Sequence, residues 1–163
     1  MILIALGSNL SSRFGPPRAT LEAALDRLVQ RGVEVKRRSR WYTSRPVPVS
    51  DQPWFVNGVA EVESDRAPEA LLALLHEIEA EFGRERRDKN EARVLDLDLL
   101  DYHGLVTDPR GRPALPHPRL AERAFVLLPL AGLAPEWRHP LSGRSAGELA
   151  ATLPPGQEIE ALA

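Results

Sequence analysis

Hydrophobic and polar positions in the first part of the chain predict a strand, a helix and a second strand. Residues 1–7 form an apolar run typical of a buried strand. After Pro16 and Pro17, apolar residues recur at helical spacing up to Gly32, which predicts a helix that ends at this glycine. Residues 33–42 alternate between apolar and charged side chains, and this alternation predicts a half-exposed strand.

The second part of the chain repeats this order after a loop. Prolines make residues 43–53 an extended loop, and residues 54–63 alternate as a third strand. Helical periodicity over residues 68–82 predicts a second helix, and the polar segment 84–93 leads into a last strand with the sequence RVLDLDLLDY. The order β-α-β-β-α-β predicts an α+β, ferredoxin-like fold, in which a mostly antiparallel sheet carries its helices on one face.

The C-terminal part is rich in proline and predicts an extension to this core. Residues 125–133 predict an apolar helical segment that Pro129 interrupts, and residues 146–153 predict a short closing helix. Residues 154–163 show no assignable pattern. The length of 163 residues and the hydrophobic content of 43% suit one domain with its own core, so we expect a single domain over residues 1–163.

Composition narrows the chemistry that the chain can support. The chain has no cysteine, which excludes disulfides and thiolate metal sites, so any metal should be a hard cation bound by oxygen. The net charge of −2 disfavours a surface adapted to nucleic acid, and no apolar run is long enough to span a bilayer. We therefore expect a cytoplasmic protein that binds neither nucleic acid nor a membrane. We also expect a monomer, which is a separate expectation that does not follow from the composition.

The last predicted strand carries two aspartates at alternate positions. Successive strand residues point to opposite faces, so Asp96 and Asp98 share one face while Leu95, Leu97 and Leu99 line the other. Two neighbouring carboxylates repel each other unless a cation lies between them, and Mg²⁺ binds through one or two carboxylates together with substrate phosphates. Taken alone, the pair also fits a solvent-facing strand with acidic positions.

Two basic segments lie near this strand in the sequence. Arg84 and Arg93 bound a polar segment that is either a solvated loop or a lid whose arginines meet an anionic polyphosphate. His117 lies between two prolines in a fixed, extended backbone, which suits either a defined contact or an ordinary surface histidine in a loop, and Arg123 follows it. The first segment is compatible with phosphate binding beside the aspartates.

An aromatic residue and an amide share a face of the third predicted strand. Phe55 and Asn57 are two residues apart, which fits a core aromatic residue next to a strand-edge amide. The same pair also fits a flat ring that stacks on Phe55 while Asn57 offers it a donor and an acceptor. No common nucleotide-binding motif, neither GxxxxGK[ST] nor GxGxxG, occurs in the chain, so any ATP site must be of another design.

These stretches together resemble one known family. The motifs that carry the resemblance are ALGSNL, the YTSRP loop, DQPWFVN, IEAEFGRERR, RVLDLDLL and LPHPRLAERAFVLLPLAGLAP, and they cover nearly the whole chain. In these motifs the chain is similar to the 6-hydroxymethyl-7,8-dihydropterin pyrophosphokinases (HPPK) of folate biosynthesis. The resemblance implies a ferredoxin-like enzyme that transfers pyrophosphate from MgATP to the hydroxymethyl group of a reduced pterin and releases AMP.

The resemblance also implies roles for individual residues. Asp96 and Asp98 correspond to the ligands of two Mg²⁺ ions, and together with Arg84 and Arg93 they are the expected catalytic residues. The implied ATP contacts are Glu79, Arg84, Arg93, Leu99, His117 and Arg123. The implied pterin contacts, several of them through backbone groups, are Ser44, Arg45, Pro46, Val47, Phe55, Asn57, Asp96 and Phe125.

Two other classes of protein remain compatible with parts of the pattern. RNA- or ligand-binding modules without catalysis also use a β-α-β-β-α-β sheet with stacking aromatic residues, although the acidic strand would face the RNA phosphates. A Mg²⁺-dependent phosphohydrolase could use the same aspartate pair. Release of AMP, and not of inorganic phosphate, would distinguish the pyrophosphokinase from the phosphohydrolase.

Overall fold

The computed structural model describes residues 1–46, 48–83 and 93–162. The strands are β1 (Ile2–Ser8), β2 (Glu34–Arg38), β3 (Tyr42–Ser44), β4 (Phe55–Glu63), β5 (Asp96–Tyr102) and β6 (Ile159–Ala161). The helices are α1 (Pro17–Gln30), α2 (Pro68–Glu81), α3 (Ala124–Leu133) and α4 (Ala146–Ala151), and a short 3-10 turn spans Leu120–Glu122. None of the described helices is long and apolar enough to cross a membrane.

The strands form one antiparallel sheet in the order β5-β1-β4-β3-β6, and β2 also pairs with β4. Strand β1 is buried along its whole length, as its apolar sequence requires of a central strand. The strand order and the β-α-β-β-α-β connection confirm the predicted α+β, ferredoxin-like fold. The sheet order therefore places the acidic strand β5 one strand away from β4, with β1 between them.

Each face of the sheet carries its own core. Helices α1 and α2 cover the face that includes Leu97 and Leu99, as predicted for the two core helices. Helices α3 and α4 of the C-terminal extension cover the opposite face, where Val59 and Leu100 pack. Pro129 lies buried inside α3, so the predicted interruption of this helix is wrong. The extension thus adds a layer to the second face, which is also the face of Asp96 and Asp98.

Residues 33–42 do not form the single strand that their alternation predicts. The pairing stops between β2 and β3, where the Ser39 hydroxyl accepts from the Val59 amide at 2.9 Å and donates to the Arg40 carbonyl at 2.7 Å. Trp41 turns into the core beside Gly58, where an added Cβ would lie only 2.5 Å from the indole. The Trp41 carbonyl accepts from the backbone N–H of Leu162, the residue directly after β6. The sequence pattern did not predict β6 as a strand.

A register shift in β5 gives its third aspartate a structural role. Ile4 of β1 pairs with Leu99, whereas the preceding residue of β1 pairs with Asp101, so Leu100 is an extra residue in β5. The buried Asp101 carboxylate accepts from Trp137 Nε1 at 2.8 Å and from the Gly104 amide at 3.0 Å. Asp101 therefore anchors the extension, and the acidic pair of the site consists of the two earlier aspartates.

Candidate active site

One row of cross-strand neighbours defines the floor of the candidate active site. Gly7 of β1 pairs with Asp96 of β5 on one side and with Asn57 of β4 on the other. Neighbouring strands lie about 4.8 Å apart, so the Cα atoms of Asp96 and Asn57 are separated by roughly 10 Å. A Cβ on Gly7 would lie 3.1 Å from Asn57 Nδ2 and 3.8 Å from the Phe55 ring. The glycine therefore keeps the floor open between a carboxylate and an amide.

A cavity lies over this floor and brings together ten of the predicted site residues. Those that line it are Ser44, Arg45, Pro46, Phe55, Asn57, Arg93, Asp96, Asp98, Arg123 and Phe125. Its wall also contains residues that the sequence did not single out, among them Gly7, Pro48, Ser50, Gln52 and Arg119. The predicted Arg84 and Val47 lie outside the described residues. The cavity has an aromatic end and a charged end, and these are described in turn.

The aromatic end is formed by Phe55 on β4 and Phe125 at the start of α3. The buried Ser44 hydroxyl donates to Asn57 Oδ1 at 2.5 Å, which fixes the orientation of the amide and directs Nδ2 towards Gly7. A flat ring between the two phenylalanines would meet this amide at its edge.

Arg45 contributes to this end in a more restricted way than its prediction implies. Its backbone N–H already donates to the Glu158 carbonyl at 3.0 Å, and its guanidinium pairs with the Glu158 carboxylate at 2.5 Å. The amide of Arg45 is therefore occupied by the C-terminal segment, and its carbonyl and aliphatic stem remain to line the cavity.

The charged end contains the two aspartates on the predicted face of β5. Arg93 Nη1 lies 3.2 Å from Asp96 Oδ2, and Arg123 Nη1 lies 3.6 Å from Asp98 Oδ2. The aspartate side chains remain 23% and 29% exposed, and both line the cavity, so a ligand in the cavity can reach them. The guanidiniums offset the repulsion between the two carboxylates.

The donor set of this end fits a hard cation that shares its coordination with a substrate. In the described part of the chain, no cluster of three or more carboxylate or imidazole side chains is arranged to hold a metal ion. Two carboxylates alone are too few for an all-protein cage, but Mg²⁺ keeps several waters and completes its shell with phosphate oxygens. Asp96 and Asp98 thus suit magnesium that arrives with a phosphorylated substrate.

His117 lies behind the charged end and is a neutral hydrogen-bond donor. Burial, assisted by the positive charge of Arg123, lowers the pKa of His117 to about 4. The Arg119 amide donates to His117 Nδ1 at 3.2 Å, so Nδ1 carries the lone pair and Nε2 carries the proton. His117 itself is not part of the cavity wall, and Arg119, which the sequence analysis left unassigned, is.

Two predicted ATP contacts lie behind β5 and away from the cavity. Leu99 is buried in the core beneath α1 and α2. Glu79 is 1% exposed and accepts from the Leu97 amide at 2.8 Å, a group that lies between the two aspartates on the edge strand. Glu79 therefore satisfies a donor of the sheet edge and holds the acidic strand in place. The ATP contacts of Glu79 and Leu99 stay predictions.

Asn9 is a site residue that sequence reasoning missed. Its side-chain Oδ1 accepts from the backbone N–H of Arg93 at 2.7 Å, and its backbone N–H donates to the Arg93 carbonyl at 3.0 Å. Its Nδ2 donates to Gln52 Oε1 and to the Pro53 carbonyl, both at 3.1 Å. Asn9 thus joins three separate loops at the rim of the cavity. Only the Ser8–Asn9 turn signal marks it locally, because its partners are distant in sequence.

Together, the antiparallel α+β sheet, the aspartate pair flanked by arginines and the adjoining aromatic slot are features of an enzyme of the phosphoryl-transfer class. Residues 3–135 match the family described as 7,8-dihydro-6-hydroxymethylpterin-pyrophosphokinase (HPPK). The chain belongs to this family.

Individual relatives agree with this assignment over most of the chain. It is 44% identical over 155 residues to a 2-amino-4-hydroxy-6-hydroxymethyldihydropteridine pyrophosphokinase of Pseudomonas aeruginosa, covering 94% of this chain and 91% of the relative. It is 39% identical over 144 residues to the protein of the same name from Synechocystis sp., covering 88% of this chain and 71% of the relative.

A solved structure supports the fold. The crystal structure of a Plasmodium falciparum HPPK-DHPS triple mutant superposes with a TM-score of 0.66 at 13% sequence identity, over 92% of this chain and 43% of that chain. The structural likeness therefore covers nearly all of this chain and less than half of the bifunctional protein.

Proposed function

We propose that the cavity over Gly7 is the site where this chain carries out the reaction of its family. The enzyme transfers the pyrophosphoryl group of ATP to the hydroxymethyl group of 6-hydroxymethyl-7,8-dihydropterin and releases AMP. The proposal rests on the cross-strand pairing of Gly7 with Asp96 and with Asn57. This pairing places a proposed phosphate-binding end and a proposed ring-binding end side by side on the same face of the sheet.

The aromatic end suits the pterin. Phe55 and Phe125 offer two apolar ring faces, and stacking of this kind is worth about 0.5–1.5 kcal/mol beyond the area that it buries. Asn57 offers Nδ2 as a donor to the edge of the ring, while Ser44 holds its Oδ1. An amide fixed in this orientation donates a hydrogen bond to an acceptor on the edge of a heterocycle. It disfavours rings that present a donor at the same position.

The charged end suits the triphosphate of ATP. Asp96 and Asp98 would hold magnesium, for which we propose two ions, and these ions would supply positive charge to the phosphates. Arg93 and Arg123 already lie within 3.2 Å and 3.6 Å of these carboxylates, so they can move from carboxylate to phosphate oxygen over a short distance. The proton on His117 Nε2 adds a neutral donor that stays in place above the pKa of about 4.

The reaction itself needs positioning more than a strong base. The hydroxymethyl oxygen attacks the β-phosphorus in line, a new O–P bond forms, and the bond from the β-phosphorus to the bridging oxygen of AMP breaks. The hydroxyl proton is lost to solvent as the product forms. Holding the two reactants on one rigid floor can supply several kcal/mol of the barrier reduction, on the order of 7–11 for ideal geometry. We also propose that the chain acts as a monomer and forms one domain, since a core of its own residues covers each face of the single sheet.

AMP formation tests the proposal. The purified chain with MgATP should form AMP only when 6-hydroxymethyl-7,8-dihydropterin is added, and omission of magnesium should stop the reaction. Phosphate release without pterin would indicate a phosphohydrolase, and AMP formation that ignores pterin would contradict the assignment of the aromatic end. Pterin-dependent AMP at an unchanged rate in an Asp96→Ala variant would contradict the assignment of the charged end.

A further inference from the structure

A second cavity, of 440 Å³, lies at the junction of β2 and β3, on the side of the sheet that α1 covers. Its wall consists of Arg18, Arg38, Ser39, Arg40, Trp41 and Leu162. None of these residues lines the active-site cavity, so the two cavities are separate.

The charge on this wall is positive and poorly balanced. Three of the six lining residues are arginines, and none of the six is acidic. Within the described part of the chain, Arg38 and Arg40 form no ion pair: Arg38 Nη1 donates to the Ser39 carbonyl at 3.3 Å, and Arg40 Nη2 donates to the Leu162 carbonyl at 3.4 Å. Arg18 lies 3.5 Å from Glu22, with both side chains about half exposed.

Other arginines of this protein are placed differently. Arg27 and Arg31 both pair with Glu81 across α1 and α2, and Arg37 pairs with Glu61 at 2.6 Å. Arg37 is only one residue away from Arg38, but the alternation of β2 sends the two side chains to opposite faces of the sheet. Arg38 and Arg40 thus differ from these three arginines, since within the described residues they have no carboxylate partner.

Trp41 adds an independent observation. Its side chain is 3% exposed, and its Nε1 has no hydrogen-bond partner among the described residues. The Cε3–Cζ3 side of the indole lies against Gly58, so Nε1 lies on the side away from this glycine. The Arg38 guanidinium covers a ring face at 4.9 Å. A buried indole N–H normally has an acceptor, and leaving it unpaired is unfavourable.

We propose that this cavity is a second anion site, which binds a phosphate group between Arg38, Arg40 and the Nε1–H of Trp41. Guanidiniums bind phosphate through paired N–H donors, and the indole N–H supplies a further donor from the wall. Because Arg38 covers one face of the buried indole, Trp41 does not offer that face to a nucleobase. It is suited to a small oxyanion such as pyrophosphate, or to the exposed phosphate of a larger molecule.

Titration followed by NMR of the tryptophan indole groups tests this proposal. The chain has three tryptophans, and a Trp41→Phe variant identifies the Trp41 signal in the ¹⁵N-labelled protein. Sodium pyrophosphate and AMP are added separately, without magnesium and at low ionic strength. The Trp41 indole signal should move in a saturable way while those of Trp54 and Trp137 stay in place. A response to pyrophosphate alone would identify the free oxyanion, and an equal response to AMP would extend the site to phosphate esters.

Matched variants make the test specific. In an Arg38→Gln/Arg40→Gln variant the saturable shift should be lost, with the Trp54 and Trp137 signals reporting an intact fold. An Arg138→Gln/Arg144→Gln variant, which removes the same charge elsewhere, should retain the shift, as should Arg123→Gln in the active site. A Trp41 signal that does not move with either anion, or that moves equally in the Arg38→Gln/Arg40→Gln variant, would overturn the proposal.

Discussion

The aspartate pair at the charged end of the candidate active-site cavity lies on one strand, whereas the aromatic end is assembled from β4, β3 and α3. Asp96 and Asp98 are two residues apart on β5, so a single strand sets their common direction. Phe55 and Phe125 come from elements far apart in the sequence, and Ser44 must meet Asn57 to fix the amide. The aspartate pair is therefore a local feature, whereas the aromatic end, like the position of Arg123 beside Asp98, depends on the tertiary fold.

This difference predicts that substitutions at the two ends change different kinetic constants. In the proposed assignment the groups at the charged end would act on the phosphates as the bond breaks, so their loss should lower kcat. The groups at the aromatic end would hold the pterin before and during the reaction, so their loss should raise the KM for pterin.

The largest effect is expected for Asp98→Asn. This change removes one charge with almost no change in shape, and kcat should fall about a thousandfold because a phosphate-facing carboxylate is lost. Steady-state AMP formation measures this effect. Asp26→Asn, an equivalent change at an exposed position on α1, is the control and should leave kcat unchanged. An unchanged kcat together with a higher KM for pterin would contradict the assignment of Asp98.

A smaller effect is expected for Asn57→Ala at the aromatic end. It removes the donor to the pterin edge and leaves the Ser44 hydroxyl without its acceptor, which together cost about 1–3 kcal/mol. The KM for pterin should rise by roughly 5- to 150-fold, with a minor change in the KM for ATP. Thermal unfolding of the variant separates this effect from a loss of fold. An unchanged KM for pterin would remove Asn57 from the pterin site.

Gly7→Ala tests the floor between the two ends. The added Cβ would lie 3.1 Å from Asn57 Nδ2, so the amide must shift by a few tenths of an ångström. We expect the KM for pterin to rise about tenfold, or about 1.4 kcal/mol, since the amide loses its alignment with the ring. In a Gly7→Ala/Asn57→Ala variant the two increases in the KM for pterin should not add, because Gly7→Ala acts by displacing the Asn57 amide. Full additivity would show that Gly7 acts independently of Asn57.

The last prediction concerns His117, and its effect is on stability. Its pKa is about 4 in the folded chain and 6.5 as an ordinary histidine, so the unfolded state binds more protons between these values. The free energy of unfolding should therefore fall as pH is lowered from 6.5 towards 4. Urea denaturation without magnesium or ATP measures this dependence, and a His117→Asn variant should show a shallower decline. Equal slopes for both proteins would show that His117 titrates normally.

The sequence was sufficient for features that depend on local spacing. Alternation in β5 predicted the shared face of Asp96 and Asp98, and Pro68 with Gly83 correctly framed α2. The ferredoxin-like order followed from the same periodicities. These predictions succeeded because strand and helix periods act over a few residues.

Features that depend on distant partners could not be predicted in this way. Gly7 becomes part of the floor only through its register with β4 and β5, and Asn9 acts through loops far along the chain. Strand β6 forms because β3 offers it an edge, although its own sequence has no strand pattern. The break at Trp41 depends on the space that Gly58 leaves on a neighbouring strand.

The central claim is that the two ends of one cavity bind different parts of the reaction, and direct pterin binding tests it. Calorimetric titration with 6-hydroxymethylpterin, the oxidised analogue, is carried out without ATP or magnesium so that the charged end is not loaded. The account predicts that Asp98→Asn binds this ligand as the unaltered chain does, whereas Asn57→Ala binds it at least about fivefold more weakly, the equivalent of about 1 kcal/mol. Equal weakening in the two variants, or weakening in Asp98→Asn alone, would contradict it.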